Sequence, residues 1–372
     1  DQNLGSYIAK MVPEKNIIKI NFESMEFDSI ENYKQLYQYV KARLVPTGRT
    51  YIILDEVQQV DKWEKAINSF MVDFNADIYI TGSNAYLLSS ELSTLLSGRY
   101  VEIKMLPLSF KEFLDFNQFN STLTMDDKFK FYLKYGGLPS LAQLDWEETT
   151  VNTFLTGIYS TVIIKDVMKR NAIQDIVLLE KLVYFLADNI GNITSPNRIG
   201  QVLAHESYNY GGKRKKDPAS RTIDNYISML ESAYIFYGVR RFDIKGKQLL
   251  KTLGKYYIVD TGIRNALLGY RDLDYGYILE NVVYFELLRR DYDVFIGKVE
   301  DREVDFIATR QDDKKYYQVT ASLLSTDVKK RELESLKRID DNYEKVILTM
   351  DKSYLKSIEG IKIVNIIDFL LQ

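Results

Sequence analysis

The sequence predicts a multidomain α/β protein, with a parallel-sheet unit, a largely helical middle and a second α/β unit. Three observations lead to this fold class. Apolar strand segments alternate with helical patterns from residue 16 to 83, helical spacing dominates the middle, and strands return after residue 275. The 372 residues, 46% hydrophobic and 27% charged, are typical of a globular chain with two or three domains.

The first unit, predicted to span residues 1–115, contains three apolar strands. They are IIKINF, YIIL and DIYIT. Residues 28–44 and 63–70, which lie between them, carry apolar side chains at helical spacing. Strands that are apolar throughout and separated by helices indicate a parallel sheet covered on both faces.

The middle divides into a helical linker or lid, residues 116–174, and a second region, residues 175–270. The helical pattern is broken once, by YGGLPS, which predicts a turn. The second region contains helical patterns at 175–188, in NRIGQVLAHES and in ASRTIDNYISMLESA, then a hairpin around Lys245 and Gly246. Three helices followed by a hairpin are typical of a winged helix.

The last unit, residues 271–372, returns to mixed patterns. A helix is predicted over 275–290, followed by the strands YDVFIG, EVDFIAT and YYQVT. A helix over 329–339 and the strands KVILT and IKIVNI complete an α/β unit.

Composition excludes several kinds of site. The absence of Cys rules out disulfides, thiolate zinc sites and Cys nucleophiles, and one His, His205, cannot build a multi-His metal centre. No apolar run reaches the roughly 18 residues of a membrane span, and no signal-peptide pattern opens the sequence. We therefore predict a cytoplasmic protein without membrane contacts.

Two adjacent carboxylates, Asp55 and Glu56, follow the strand YIIL. Ligands of doubly wound folds bind beyond the carboxyl ends of the strands. An acid there can hold Mg²⁺, usually through water, and the next carboxylate can orient the water that attacks a γ-phosphate. We predict these roles for Asp55 and Glu56 respectively; a turn in which Asp55 caps the next helix is the alternative.

The end of the strand DIYIT adds three polar residues, Thr81, Ser83 and Asn84, that could contact the γ-phosphate or the water. Arg99 lies in the following SGRY turn. An Arg that reaches a neighbour's nucleotide acts as an arginine finger, which would require a homo-oligomer. The alternative for Arg99 is a solvated turn residue.

Three segments resemble a family of largely uncharacterised prokaryotic AAA-type ATPases: YIILDEVQQVDKWEKAINSF, IYITGSNAYLLSSELSTLLSGRY and LPLSFKEFL. In that family a P-loop ATPase domain precedes a helical and winged-helix region and a restriction-endonuclease-like α/β domain. The resemblance covers essentially the whole chain. It implies ATP and Mg²⁺ as cofactors, Asp55 and Glu56 as the Walker B pair, the TGSN turn as sensor 1 and Arg99 as a finger or sensor.

The phosphate loop of that family, G-x-x-x-x-G-K-[ST], does not occur in the sequence. Its backbone N–H groups and Lys would cradle the phosphates. All four Gly-Lys pairs, at Lys213, Lys247, Lys255 and Lys298, lack the earlier Gly and the following Ser or Thr. In the family the loop precedes the segment that matches IIKINFES. We therefore expect an N-terminally incomplete ATPase core that hydrolyses ATP only in the natural protein.

The winged-helix region is locally basic. Residues 198–251 hold eleven Lys and Arg against five Asp and Glu, although the whole chain has a net charge of −3. Phosphate contacts dominate nucleic-acid affinity, so such a face favours DNA binding. The predicted DNA contacts are Lys213, Arg214, Lys215, Lys216, Arg221, Arg240 and Arg241. A protein-binding winged helix and a merely solvated Lys-rich loop are the alternatives.

The C-terminal unit follows the layout of metal-dependent nucleases. Glu280 on a helix and Asp305 on a strand match the first two acidic positions, as the family resemblance implies. At the third position Gln318 replaces the acid, and Thr320 replaces the Lys that assists the attacking water. The substitutions favour a degenerate nuclease fold kept for binding or assembly.

These observations favour an ATPase whose nucleotide state moves a DNA- or protein-binding C-terminal half. A metal-dependent, structure-specific nuclease regulated by the ATPase is the first alternative. A DNA- or protein-binding adaptor without catalysis is the second.

Overall fold

The structure is a computed structural model that describes residues 12–82, 96, 99–117, 119, 122–161, 167–168, 173, 175–209, 219–352 and 356–372. The chain forms two compact units, residues 1–104 and residues 105–372.

The N-terminal unit contains a three-stranded parallel sheet in the order β1-β2-β3. Its elements are β1 (Ile17–Asn21), α1 (Tyr33–Lys41), β2 (Thr50–Asp55), α2 (Trp63–Asp73) and β3 (Ala76–Ile80). Each helix connects neighbouring parallel strands, since a parallel pair needs a long crossover. Ile52 and Leu54 of β2 are fully buried and pack in one core with both helices. The predicted parallel sheet is confirmed.

Among its described residues, the second unit begins with six α-helices. They are α3 (Phe110–Phe116), α4 (Met125–Tyr135), α5 (Glu148–Ile158), α6 (Ile176–Asp188), α7 (Pro196–Asn209) and α8 (Ser220–Ser232). The buried apolar residues of these helices share one core with the sheet that follows. For example, Leu182 of α6 and Leu230 of α8 are fully buried in that core.

The sheet of the second unit has eight strands in the order β10-β11-β9-β8-β7-β6-β4-β5. The strands are β4 (Phe236–Asp243), β5 (Gln248–Ile258), β6 (Asp293–Val299), β7 (Arg302–Arg310), β8 (Asp313–Thr320), β9 (Glu344–Thr349), β10 (Ser357–Ile358) and β11 (Ile361–Asn365). The remaining helices are α9 (Thr261–Leu268), α10 (Tyr275–Arg289), α11 (Thr326–Lys337) and α12 (Ile366–Leu371). The sheet is mixed: β4 and β6, β8 and β9, and β9 and β11 pair in parallel.

The hairpin β4–β5 forms at the predicted place, but it belongs to this larger sheet. β4 pairs with β6 through Arg241 and Ile296. The predicted winged-helix region and the predicted C-terminal unit therefore share one sheet across residue 270. The division between the two compact units lies at residue 104, ahead of α3. The four predicted domain ranges stay predictions.

The YGGLPS segment forms a turn that is held by a buried carboxylate. Gly136 ends α4 with a φ of 80°, and a Cβ there would lie 2.1 Å from Asp260 Oδ1. The Gly137 N–H donates to Asp260 Oδ2 at 2.7 Å, and the Ile263 N–H donates to Oδ1 at 3.1 Å. Asp260 therefore joins the turn after α4 to the first turn of α9.

Asp260 makes the stability of this unit depend on pH. Burial raises its pKa to about 6, although the hydrogen bonds that it accepts from backbone N–H groups act to lower the pKa. The folded-state pKa of Asp260 lies above the unfolded value of 3.8. The stabilisation that protonated Asp260 contributes is therefore complete below pH 3.8 and is lost as the pH rises to about 6. We expect the free energy of unfolding to fall by about 3 kcal/mol over this window.

The Asp260→Asn variant cannot titrate at this position. The difference between its pH profile and that of the wild type therefore cancels the contribution of all other titrating groups. Urea unfolding of both proteins at several pH values across the window gives the difference directly. Parallel pH profiles for the two proteins would contradict the prediction.

Candidate nucleotide site and C-terminal pocket

The carboxyl ends of β1, β2 and β3 meet at one edge of the parallel sheet. Asn21 pairs with Asp55 in the sheet register. The Thr81 N–H donates to the Leu54 carbonyl at 2.9 Å, which places Thr81 directly after β3 and next to the end of β2. The Thr81 hydroxyl donates a short hydrogen bond to Asp55 Oδ1. The structure thus brings together the predicted metal residue and one residue of the predicted sensor turn.

Glu56 leaves the strand with a left-handed backbone, φ 56° and ψ 43°. For a residue with a side chain this conformation costs on the order of 1–3 kcal/mol, and such residues cluster at functional sites. Gln58 Nε2 donates to Glu56 Oε2 and so holds its carboxylate. Sequence reasoning missed Gln58. Its place two residues after an acid pair was the available signal.

Several predicted residues fall outside the described part of the chain. They are Ser83, Asn84, Lys213, Arg214, Lys215 and Lys216. Arg99 is described and exposed, and its N–H donates to the Leu96 carbonyl at 3.2 Å. The roles given to these residues remain predictions.

Within the described residues, His, Asp and Glu side chains form no group of three or more that could hold a metal ion. The edge of the parallel sheet offers the Asp55 carboxylate and the Thr81 hydroxyl that contacts it. A nucleotide-bound Mg²⁺ takes most of its ligands from phosphate and water and needs only one or two carboxylates. The oxygen donors of Asp55 and Thr81 therefore fit such an ion.

The C-terminal part contains a cavity of about 690 Å³. Its lining includes Glu280 from α10, Asp305 from β7 and Gln318 from β8. The structure thus gathers the three residues of the predicted degenerate nuclease site, which come from three separate elements.

Lys255 of β5 supplies a cation to these carboxylates. Its Nζ lies 2.7 Å from Glu280 Oε1, 2.6 Å from Glu303 Oε1 and 3.9 Å from Asp305 Oδ1, and 3% of its side chain is exposed. Burial lowers the pKa of Lys255, but the three carboxylates raise it more, so it stands above its ordinary value. The ammonium therefore stays charged. Sequence reasoning missed this role; the signal was a lysine inside the apolar segment LGKYYIVD.

Gln318, Asp305 and Glu280 have further hydrogen-bond partners around the cavity. Gln318 Oε1 accepts the Asp305 N–H at 2.7 Å, and Gln318 Nε2 donates to Glu332 Oε2 at 2.5 Å. The Val319 N–H donates to Asp305 Oδ2 at 2.8 Å, and the Tyr257 hydroxyl donates to Glu280 Oε1 at 2.5 Å. Burial raises the pKa of Asp305, and the Glu280 carboxylate raises it further.

The predicted DNA-binding region places some basic residues at the surface. Arg221, in the first turn of α8, and Arg240 of β4 are exposed, whereas Arg241 is half-buried. Between α6 and α7, Thr194 forms an antiparallel bridge with Gly254 of β5, with N–H···O distances of 2.9 and 3.2 Å. The order is therefore helix, bridge, helix, helix and hairpin.

Sequence comparison assigns most of the chain to known domains. Residues 3–114 match the family described as AAA domain, and residues 126–274 match a domain of unknown function, DUF8612. An uncharacterised protein of Haemophilus influenzae is 39% identical over 363 residues, which are 97% of this chain and 88% of that protein. The chain belongs to this family of AAA-domain proteins. An uncharacterised protein of Methanocaldococcus jannaschii is 31% identical over 360 residues, covering 92% of this chain and 76% of that protein.

Two solved structures show weak likeness to this AAA-domain protein. The Aeropyrum pernix ORC1 protein, solved in complex with DNA, has 13% identity and a TM-score of 0.29, covering 63% of this chain and 67% of its own. A Vibrio cholerae protein has 11% identity and a TM-score of 0.21, covering 87% of this chain and 88% of its own. At these TM-scores neither likeness supports a statement about fold, ligand or partner.

The AAA domain, an ATPase-type nucleotide-binding region, contains Asp55, Glu56, Thr81 and Arg99. Most lining residues of the C-terminal cavity follow residue 274, whereas Lys255, which contacts the cavity's carboxylates, lies within the domain of unknown function of this AAA-domain protein. No helix in the described part of the chain is long and apolar enough to cross a membrane.

Proposed function

We propose that the AAA domain binds ATP with Mg²⁺ and hydrolyses it. The observation that carries the proposal is the contact between Asp55 and Thr81 at the carboxyl edge of the parallel sheet, with Glu56 turned out of the strand beside it. Asp55 would hold Mg²⁺ through water, and the bound ion would neutralise charge on the phosphates. Glu56, held by Gln58, would orient the attacking water.

The phosphates need a cradle of backbone N–H groups and a lysine, and these 372 residues contain no G-x-x-x-x-G-K-[ST] segment. The proposal is therefore tested on the protein as its gene encodes it. We expect Mg²⁺-dependent release of phosphate from ATP. A protein that neither binds nor hydrolyses ATP would overturn the proposal.

Three further residues have roles in this proposal. Ser83 and Asn84 would contact the γ-phosphate, and Arg99 would act on the nucleotide of a neighbouring copy in a homo-oligomer. The exposure of Arg99 suits a residue that reaches across an interface between copies.

A second candidate function, binding of DNA by a winged helix, is favoured by the order of elements from α6 to β5. The Thr194–Gly254 bridge ties the segment between the first two helices to the hairpin. On α8, Arg221 and Asn225 are exposed, while Ile223 and Tyr226 are buried. The exposed face of α8 would enter the major groove, and Arg240 would contact the DNA backbone.

Charge reversal on α8 tests this function. We expect Arg221→Glu to weaken a gel shift with duplex DNA by at least about tenfold, because a phosphate or base contact becomes a repulsion. Lys330→Glu on α11 makes the same charge change at another exposed position and should leave the shift unchanged. Equal effects of both variants, or a shift that does not respond to salt, would contradict the proposal and favour a protein partner.

A further inference from the structure

The C-terminal part has the order of elements that its predicted nuclease layout requires. α10, β6, β7, β8, α11 and β9 follow one another as helix, three strands, helix and strand. β6, β7 and β8 are consecutively antiparallel, and β8 is parallel to β9. In that layout Glu280 and Asp305 would share a divalent metal.

The position between these carboxylates is filled by the Lys255 ammonium. Nζ lies within hydrogen-bonding distance of both Glu280 and Glu303, and within ion-pair distance of Asp305. A divalent ion bound to the same oxygens would need to lie about 2.0–2.2 Å from them. It would then have to share its place with a buried positive charge, which like-charge repulsion prevents.

Side-chain oxygens that could ligate a metal elsewhere in this site already accept hydrogen bonds. Gln318, at the third ligand position, is a neutral amide whose oxygen accepts the Asp305 N–H. Asp305 Oδ2 accepts the Val319 N–H, and Glu280 Oε1 accepts from both Lys255 and the Tyr257 hydroxyl. These contacts hold the oxygens in the geometry that Lys255 needs.

We infer that Lys255 takes the place of the divalent metal in this cavity. The side chain is an internal cation that forms ion pairs with Glu280, Glu303 and Asp305, and the wild-type cavity binds neither Mg²⁺ nor Mn²⁺. The inference does not depend on the proposed ATPase activity, because it concerns residues of the second unit alone. It also explains why a neutral residue, Gln318, is compatible with the site: the ammonium carries one positive charge where a metal carries two.

Mn²⁺ binding without nucleotide tests the inference. We expect the wild-type chain to have no Mn²⁺ site that depends on Asp305. Mn²⁺ titration followed by electron paramagnetic resonance should therefore give the same result for the wild type and for Asp305→Asn. Lys255→Met empties the position and should create a Mn²⁺ site that the added change Asp305→Asn abolishes. Lys298→Met makes the same substitution at a half-buried position in β6 of the same sheet and should create none.

A wild-type Mn²⁺ site that Asp305→Asn removes would overturn the inference and would make Lys255 a neighbour of a working metal centre. A folded Lys255→Met variant that gains no Mn²⁺ site would also overturn it. Should Lys255→Met not fold, the comparison of wild type with Asp305→Asn decides alone: absence of an Asp305-dependent site supports the inference, and its presence refutes it.

Discussion

Replacing Glu56 by Gln is expected to reduce Mg²⁺-dependent ATP hydrolysis by about 10²- to 10⁴-fold, the usual contribution of a positioned general base. The amide keeps the shape of the side chain and can still receive the hydrogen bond from Gln58. It cannot accept a proton from the attacking water. Because Asp55 and Thr81 are unchanged, ATP binding should stay near the wild-type value. Phosphate release and fluorescent-nucleotide binding, both on the full gene product, measure the two quantities.

Two companion variants show whether the effect belongs to the site. Glu64→Gln makes the same chemical change on α2, in the same unit and at a similarly half-buried position, and should leave turnover unchanged. Gln58→Leu should lower turnover less than Glu56→Gln, because Gln58 only positions Glu56. Wild-type turnover in Glu56→Gln would remove Glu56 from the mechanism.

The alternation of apolar strands and helices was sufficient to predict the parallel sheet of the first unit. The segment YIIL lies inside β2, where Ile52, Ile53 and Leu54 are buried, and DIYIT overlaps β3, whose residues are half-buried. The place of the hairpin was also predictable from its turn residues. Its membership of the large sheet was not, because Arg241 pairs with Ile296, 55 positions later, and no local pattern encodes such a pairing.

The candidate sites show the same limit. Asp55 and Thr81 could be predicted to meet, since the carboxyl ends of neighbouring parallel strands share one edge. The gathering of Glu280 and Asp305 rested on a family resemblance. Lys255 was missed because its meaning depends on where β5 lies against α10, which only the folded chain shows.

The second unit contains one carboxylate that binds both a buried and an exposed arginine. Arg264 of α9 is fully buried, with Nη2 2.7 Å from Asp274 Oδ2 and Nε donating to the Ala187 carbonyl at 2.9 Å. Arg271 contacts the same Asp274 oxygen at 2.8 Å, but 44% of its side chain is exposed. Arg271 also contacts Asp188, so the two arginines share one carboxylate but differ in solvent exposure and in their other partners.

We expect Arg264→Met to lower the free energy of unfolding by about 3 to 5 kcal/mol, the range found when one partner of a buried pair is removed. The Ala187 carbonyl would lose its donor, and Asp274 would lose its unscreened partner. Arg271→Met should cost only about 0 to 1 kcal/mol, because water and salt screen an exposed pair. Urea unfolding of both variants measures the difference. Equal losses would contradict the prediction, because a fully buried arginine would then contribute no more to stability than an arginine whose ion pairs are screened by solvent.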